Sequence, residues 1–507
     1  MSPMARPMKR KAMKGPSPAA GASAQPGPAR RRASRAASRL RRAADIALVV
    51  LALFAVGLFV AVKIISGRGG EAAGSNGTNG TGAPTATIGQ ETTSSPSAEF
   101  ADLEAGPDEY DGGADDEPLA GPAIVSDPSA ARPFSPVDDP RLAALLDPEI
   151  ERALKVGRIP SMAVVCVSGD RIVWTRSAGL ANVRVKTPAA CDTVYLIAST
   201  FKTMSATALL QQMEQGKFKL DDRVNDYLGD LRIEGENRRY PVTFRHLLTH
   251  TSGLPTDFGR HAVWEDQAPP SLHDYLGGRL RLARRPGTRV LYSNIAFTLV
   301  AYLVEKFSGM PFKDYMRRNV FGLVEMRDTA FEPRADMAER LAIPYMPVRR
   351  RTGVFRPVDW VKADAWPAGV VYGTAVDQAR WLIAAVNRGV YRGRRLLQES
   401  TFREMTRRQF DRFAGPINGG WLNETSGYGL AWWVSTLDGE TIIAHSGSVN
   451  GYTAFLAGNL DRKTGIAILT NGNKAHRWLY ALALKALAAL EAPSVGGPPG
   501  PGLKRPE

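Results

Sequence analysis

Between Gly67 and about Pro133 the chain carries no hydrophobic period of either the helical or the strand kind. Its residues there are Gly, Ser, Thr, Ala, Pro, Asp and Glu, a mixture that buries too little apolar surface to offset the entropy of ordering a backbone. We therefore expect residues 67–137 to be a disordered acidic linker, with a root-mean-square reach on the order of 45 Å. The Pro/Gly-rich end, residues 493–507, reads the same way. A folded domain must then lie within residues 138–492. The sequons Asn76-Gly77-Thr78 and Asn79-Gly80-Thr81 fall in the linker, where the composition alone accounts for them.

Charge divides the chain in the same places. Residues 1–66 hold 13 Lys/Arg and 1 acidic residue, residues 67–133 hold 2 and 12, and the remainder 50 and 37. The first 42 residues contain 12 Lys/Arg and no acid, and Ile46 to Val62 is then uncharged and apolar for 17 residues. That run spans roughly 25 Å as a helix, and Ile64 and Ile65 extend it if Lys63 snorkels to the interface. No small-x-small site follows it, so an uncleaved signal anchor over residues 43–65 is favoured over a cleaved signal peptide. The basic residues 1–42 then set topology: they stay cytoplasmic, and everything after the span lies on the outer, periplasmic or extracellular, side of the cytoplasmic membrane. The same placement argues against reading the Arg-rich tail as a nucleic-acid arm. The only cysteines are Cys166 and Cys191. Export would permit a disulfide between them, and the sequence leaves the pairing open.

Within residues 138–492, a helical opening (140–157) precedes two strands (161–167 and 171–178), with Ser168-Gly169-Asp170 as the hairpin turn. Four more strands (430–435, 441–444, 453–459 and 465–470) and a final amphipathic helix (474–490) close the chain. Strands at both ends with helical sequence between them predict an α+β fold. We expect one central antiparallel sheet, covered by the terminal helices, with a mostly helical inserted subdomain.

At Val194-Tyr195-Leu196-Ile197 an extended apolar run gives way to a helix, and Ser199-Thr200-Phe201-Lys202 sits at the switch. Serine and lysine three apart on a first turn share a face, so an amine whose pKa is lowered by burial can take the serine proton. Alone, the tetrad reads equally as an N-cap serine with a surface lysine. Three further elements accompany it. Tyr292-Ser293-Asn294 follows the turn Pro286-Gly287 and opens a helix; beside a lysine ammonium the Tyr292 phenolate would be favoured as a base. His445-Ser446-Gly447-Ser448 ends a strand, where Gly447 admits a substrate backbone. There the Ser448 N–H can join that of Ser199 as an oxyanion hole. The third element is His246 to Pro255.

This set resembles the serine β-lactamase and penicillin-binding-protein superfamily, in the branch of class C β-lactamases, D-alanyl-D-alanine carboxypeptidases, D-aminopeptidases and esterases. The resemblance covers roughly residues 140–490 and includes Leu220-Asp221-Asp222, Pro367-Ala368-Gly369 and Tyr428-Gly429-Leu430-Ala431-Trp432. It implies that Ser199 is the nucleophile, Lys202 its activator and Tyr292 the base and later acid. It further implies that Asn294 holds substrate and Lys202, and that His445, Ser446, Gly447 and Ser448 form an edge strand against the substrate, with no metal or organic cofactor. The family often has Lys-Thr-Gly at the last motif; a neutral histidine there is a poorer carboxylate partner. We therefore expect a membrane-anchored serine hydrolase acting on an ester or a D-amino-acid amide or peptide, with weak or no β-lactamase activity. The alternative is a catalytically weak penicillin-binding-type sensor of the cell wall.

Other readings lose to plainer ones. His246 and His250 have the spacing of a zinc pair, but Leu247 stands where a metalloprotease has Glu, so both are expected to hydrogen-bond backbone in a buried turn. No Gly-x-Ser-x-Gly elbow exists. Asp115/Asp116 and Asp138/Asp139 lie in or beside the linker. Arg349-Arg350-Arg351 and Arg392, Arg394 and Arg395 are basic patches of the kind usually left to solvent, although they could attract anionic polymer.

Overall fold

The computed structural model describes residues 135–256, 269–348, 353–361, 363–410 and 426–491. The expected basic tail (1–42), span (43–65), C-terminal tail (493–507) and all but the last residues of the linker (67–137) lie outside these, as do Asp115, Asp116 and Arg349 to Arg351. Among the described residues no single helix is long and apolar enough to cross a membrane.

The first helix, α1 (Pro140–Lys155), starts where Asp139 accepts from the backbone N–H of Arg141 at 2.9 Å and Leu142 at 3.2 Å, with Pro140 in the first position. Asp139 is thus a helix cap. Leu142, Leu146, Ile150 and Ala153 form the buried stripe of α1. Strands β1 (Ser161–Ser168) and β2 (Arg171–Asn182) form the hairpin read from the sequence, and a short β3 (Thr187–Pro188) follows. The carboxyl end supplies β4 (Gly427–Tyr428), β5 (Trp433–Leu437), β6 (Glu440–Val449), β7 (Tyr452–Asn459) and β8 (Thr464–Thr470). Together they make one antiparallel sheet in the order β4-β5-β6-β7-β8-β1-β2-β3, closed by the pairing of β8 with β1.

Both faces of this sheet are covered. On one, α1 and the last helix, α5 (His476–Ala489), pack over Met162, Val164, Phe455, Ile466 and Ile468. On the other lie α2 (Phe201–Glu214), α3 (Asn294–Ser308) and α4 (Ala375–Val386), which pack with Ala163, Val165, Leu456, Ala467 and Leu469. Alternate residues of each strand serve opposite cores, as a two-layered cover demands. Residues 201–212 of α2 are buried in succession, which makes α2 the helix at the centre of the domain.

Two differences from the sequence reading follow from backbone geometry. The strand expected at 430–435 begins only at Trp433, because Gly429 to Trp432 form a turn. Ala431 there has φ 65°, and the Gly429 N–H donates to the Trp432 carbonyl at 2.8 Å. The strand expected to end at Ala444 instead continues to Val449, since β7 supplies partners throughout: His445 with Leu456, Ser446 with Phe455, Gly447 with Ala454. The cysteines are free. Cys166 sits in the core beneath α1 and α5 while Cys191 packs against the core on the opposite face, so the fold separates them.

Candidate active site

Ser199 lies in a 3-10 turn, Ala198–Thr200, that leads directly into α2. Ala198 has φ 49°, a left-handed conformation that turns the chain sharply before the serine. Two glycines press on this turn. A Cβ on Gly447 would stand 2.7 Å from the Ile197 carbonyl and 2.8 Å from the Ser199 backbone nitrogen, and one on Gly369 would stand 3.0 Å from that nitrogen. Phe201 then locks the first turn of α2 against Phe331 (ring centroids 5.7 Å), Phe312 and Phe321 (both 6.2 Å). These contacts hold Ser199, half-buried, and Lys202, fully buried, on one side of the helix.

The Lys202 amine has three neighbours: Ser199 Oγ at 3.0 Å, Asn294 Oδ1 at 2.9 Å and the Ala368 carbonyl at 2.5 Å. Among the described residues no carboxylate meets it. Burial without a counter-charge pushes its pKa well below the usual lysine range. The Asn294 orientation is fixed, because its Nδ2 donates to the Thr256 carbonyl at 3.1 Å. Asn294 Oδ1 and the Ala368 carbonyl can only accept, so they take both N–H bonds of a neutral amine. Its lone pair is then left for the Ser199 hydroxyl.

Tyr292 precedes α3, whose N-cap Ser293 accepts from the Ala296 N–H at 3.0 Å. Its ring centroid lies 4.9 Å from Lys202 Nζ, and its hydroxyl hydrogen-bonds Ser199. Tyr292 as a whole is half-buried. The phenol itself is shielded, and burial raises its pKa above the ordinary tyrosine value. The expected phenolate is thus overturned: with Lys202 itself driven towards neutrality, no ammonium compensates the desolvation of a phenolate.

The strand motif is only partly as expected. Beyond Ala444 strand β6 has no partner on its β5 side among the described residues, and this open stretch packs on the Ser199 turn. Gly447 is at the contact and Ser448 is exposed at its edge. Ser446 turns its hydroxyl to Tyr480 in the opposite core, leaving only its backbone near the site. His445 is 1 % exposed and stacks on Trp433 at 5.5 Å. Its Nδ1 stands 2.6 Å from the Ser446 carbonyl, an acceptor only, so Nδ1 carries the proton. Its Nε2 accepts from the Tyr428 hydroxyl at 3.4 Å. Burial and the nearby Lys202 lower its pKa to about 3. Both nitrogens are therefore spent inside the protein, and His445 is a wall of the site rather than a substrate ligand.

His246 and His250 also use their rings structurally. His246 Nδ1 accepts from Thr243 N–H at 3.2 Å, and His250 Nδ1 from Ser293 N–H at 3.0 Å. His250 further packs on Tyr292 at 4.1 Å, Phe297 at 5.0 Å and Tyr428 at 5.4 Å. His250 thus bonds backbone as expected, whereas the Ala368 carbonyl and Tyr428 are site residues to which the sequence reading gave no role. Each lay in a motif that the sequence displays.

The family model described as Beta-lactamase matches residues 146–490. The chain belongs to the β-lactamase family. Its Ser199 turn, Lys202, Tyr292 and Asn294 all fall inside the matched region, in the arrangement just described. Among curated relatives of this β-lactamase-family chain, Protein flp of Staphylococcus aureus (strain MW2) is 22 % identical over 339 residues, or 65 % of this chain and 63 % of that protein. This chain therefore spans under two thirds of that relative's length. Penicillin-binding protein 4* of Bacillus subtilis (strain 168) is 26 % identical over 64 % of this chain and 70 % of that protein. Among solved structures, a class C β-lactamase superposes with a TM-score of 0.58 at 21 % identity, covering 71 % of this chain and 99 % of the other. The octameric penicillin-binding protein homologue from Pyrococcus abyssi gives a TM-score of 0.56 at 24 % identity, over 69 % and 77 %. At these identities the superpositions show a shared fold.

Proposed function

We propose that this protein is a serine acyl hydrolase that works through an acyl-enzyme on Ser199. The observation that carries the reading is the Lys202 amine. It is buried, has no counter-ion among the described residues, and its one free position faces Ser199 Oγ at 3.0 Å. Lys202 takes the Ser199 proton as Oγ attacks the substrate carbonyl. The oxyanion of the tetrahedral intermediate sits against the Ser199 and Ser448 backbone N–H groups, with Gly447 leaving room for the substrate. As the intermediate collapses, the bond to the leaving group breaks and the Tyr292 phenol gives its proton to the departing oxygen or nitrogen. The Lys202 ammonium, beside the Tyr292 ring, then gives the proton it took from Ser199 to the Tyr292 phenolate, restoring both neutral groups. Water then hydrolyses the ester on Ser199. Tyr292 acts here as a neutral donor, the form that its burial favours.

The substrate is an ester or a D-amino-acid amide or peptide. Penicillin-binding protein 4* and a D-alanine carboxypeptidase from Burkholderia cenocepacia among the relatives favour cell-wall peptide chemistry. A neutral, internally bonded His445 offers no charge to a β-lactam carboxylate, so β-lactam turnover is weak or nil. The domain works on the outer side of the cytoplasmic membrane, tethered through residues 43–65; the basic-then-apolar order of the first 65 residues supports this.

One observation favours the sensor reading as well. A Tyr292 held as a phenol is a poor base for the deacylating water, so the acyl-enzyme could persist. Multiple-turnover hydrolysis of p-nitrophenyl esters, D-amino-acid amides and a chromogenic cephalosporin separates the two. Sustained ester or amide turnover supports the hydrolase. A stoichiometric burst without turnover supports the sensor, and the absence of any burst in the native protein overturns both.

A further inference from the structure

Two surface segments beside the site carry seven exposed arginines that meet no carboxylate among the described residues. Residues 232–240 expose Arg232, Arg238 and Arg239, and residues 278–290 expose Arg281, Arg284, Arg285 and Arg289. The segments lie side by side: Glu234 N–H donates to the Leu280 carbonyl at 2.7 Å and Leu282 N–H to the Glu234 carbonyl at 3.0 Å. The Arg285 guanidinium covers the Tyr240 ring at 3.6 Å, with Arg239 5.5 Å from the same ring. Leu280 and Val290 point inward, so the seven arginines are the outer surface of this layer.

Elsewhere on the domain, exposed arginines commonly meet a carboxylate: Arg394 with Glu325 at 3.0 Å, Arg403 with Glu399 at 2.7 Å, Arg462 with Glu440 at 2.7 Å. Among the described residues none of these seven forms an ion pair. Glu236, in the same segment, is spent on Arg223 at 2.5 Å, which leaves Glu234 as the exposed carboxylate of the two segments. All seven cations are arginine rather than lysine, the side chain whose planar fork fits carboxylates two bonds at a time.

The chain contains a complementary stretch. Residues 102–117 hold eight Asp/Glu in sixteen positions, and no Lys or Arg occurs from residue 69 to 131. The 34 residues from Asp102 to Ser135 reach up to ~110 Å when extended. A domain of about 350 residues has a radius of gyration of only about 20 Å, so its whole surface is within range. A tethered segment also meets its target at an effective concentration in the millimolar range, far above that of most outside competitors.

We propose that the arginine face of residues 232–240 and 278–290 is the docking surface for the acidic segment 102–117 of the same chain. The face continues directly into the site, because residues 283–291 run beside His250–Gly253 and end at Tyr292. The docked carboxylates screen the cations from other polyanions until one of higher charge density displaces them.

The test is arginine-selective dicarbonyl modification of the full chain, mapped by mass spectrometry. It compares the native protein with one carrying Asp108→Asn, Glu109→Gln, Asp111→Asn, Asp115→Asn, Asp116→Asn and Glu117→Gln. Neutralising the acids should raise modification of Arg238, Arg239, Arg284 and Arg285 several-fold and leave the paired Arg403 and Arg462 unchanged. High salt should abolish the difference by screening. Equal rates at the four arginines in both chains would overturn the proposal. Protection that moves only in the basic tail, residues 1–42, would also overturn it, since the acids would then serve the tail.

Discussion

The chemistry assigned to Ser199 depends on the protonation of two neighbours, and burial decides both. Desolvation pushes the Lys202 pKa well below the usual lysine range, and Tyr292 is a phenol because desolvation raises its own. A neutral base is lost on acidification, so kcat/KM for an ester should fall as pH drops through the lowered Lys202 value. On the alkaline side it should stay level until Tyr292 ionises, above the ordinary tyrosine value of about 10. A rate that instead rises only as pH approaches the usual lysine range would contradict this assignment. Tyr292→Phe should slow turnover by about 100-fold or more, the usual scale for losing a positioned acid or base. Steady-state kinetics would show it, and an unchanged rate would mean that Lys202 and water suffice. That Ser199, Lys202, Tyr292 and Asn294 come together was legible in the motifs that hold them. The charge state of Tyr292 was not, since it depends on how completely the fold dehydrates both partners. The bonding of His445 was hidden for a similar reason: a sequence motif does not say that both imidazole nitrogens will be engaged by Tyr428 and Ser446.

At the scale of elements, the site is a contact between the start of α2 and the open stretch of β6. Gly447 is required there by distance rather than by backbone dihedral angles. A Cβ would meet the Ile197 carbonyl at 2.7 Å and the Ser199 nitrogen at 2.8 Å, closer than real side chains approach backbone. Gly447→Ala should therefore push β6 off the Ser199 turn, cost about 1–3 kcal/mol in stability and abolish most activity. Denaturant titration alongside kinetics checks this; a variant with native kcat would remove Gly447 from the argument. Phe201→Ala, which empties the aromatic cluster behind the turn, should cost about 3–5 kcal/mol. The hairpin of β1 and β2 was readable because two strand-like runs flank a Ser-Gly-Asp turn. The boundaries of β5 and β6 were not. The turn at Gly429 to Trp432 is written in apolar residues, and the extension of β6 comes from β7, a partner that local sequence does not reveal.

The whole molecule carries an acid sensitivity built from its histidines. His445 and His476 are held neutral by burial, with values of about 3 and about 4, and His250 lies well below the ordinary 6.5. The unfolded chain takes up protons at these residues from about pH 6.5 downward while the folded chain refuses them. Stability is therefore lost as pH falls below 6.5, by about 1–2 kcal/mol per histidine at pH 5. Asp377 acts in the opposite sense: burial raises it to about 6, so the fold gains a proton first and recovers part of the loss. Among the described groups His246 is lowered as well, while His273 and Glu305 are raised like Asp377. The deeply buried His250, His445 and His476 dominate, so the thermal midpoint should drop steadily from pH 7 to pH 5, and a flat profile would contradict this balance. The α+β architecture came from strands at both ends of the domain sequence. The covering of both sheet faces did not, because a strand shows which residues are buried but not which layer buries them. The most direct measurement of the central claim is intact-mass and peptide mapping after reaction with a serine-directed acylating probe. The account predicts one equivalent of label on Ser199, absent from Ser199→Ala, with a labelling rate that falls as pH is lowered through the depressed Lys202 value. Label that persists in Ser199→Ala would contradict it.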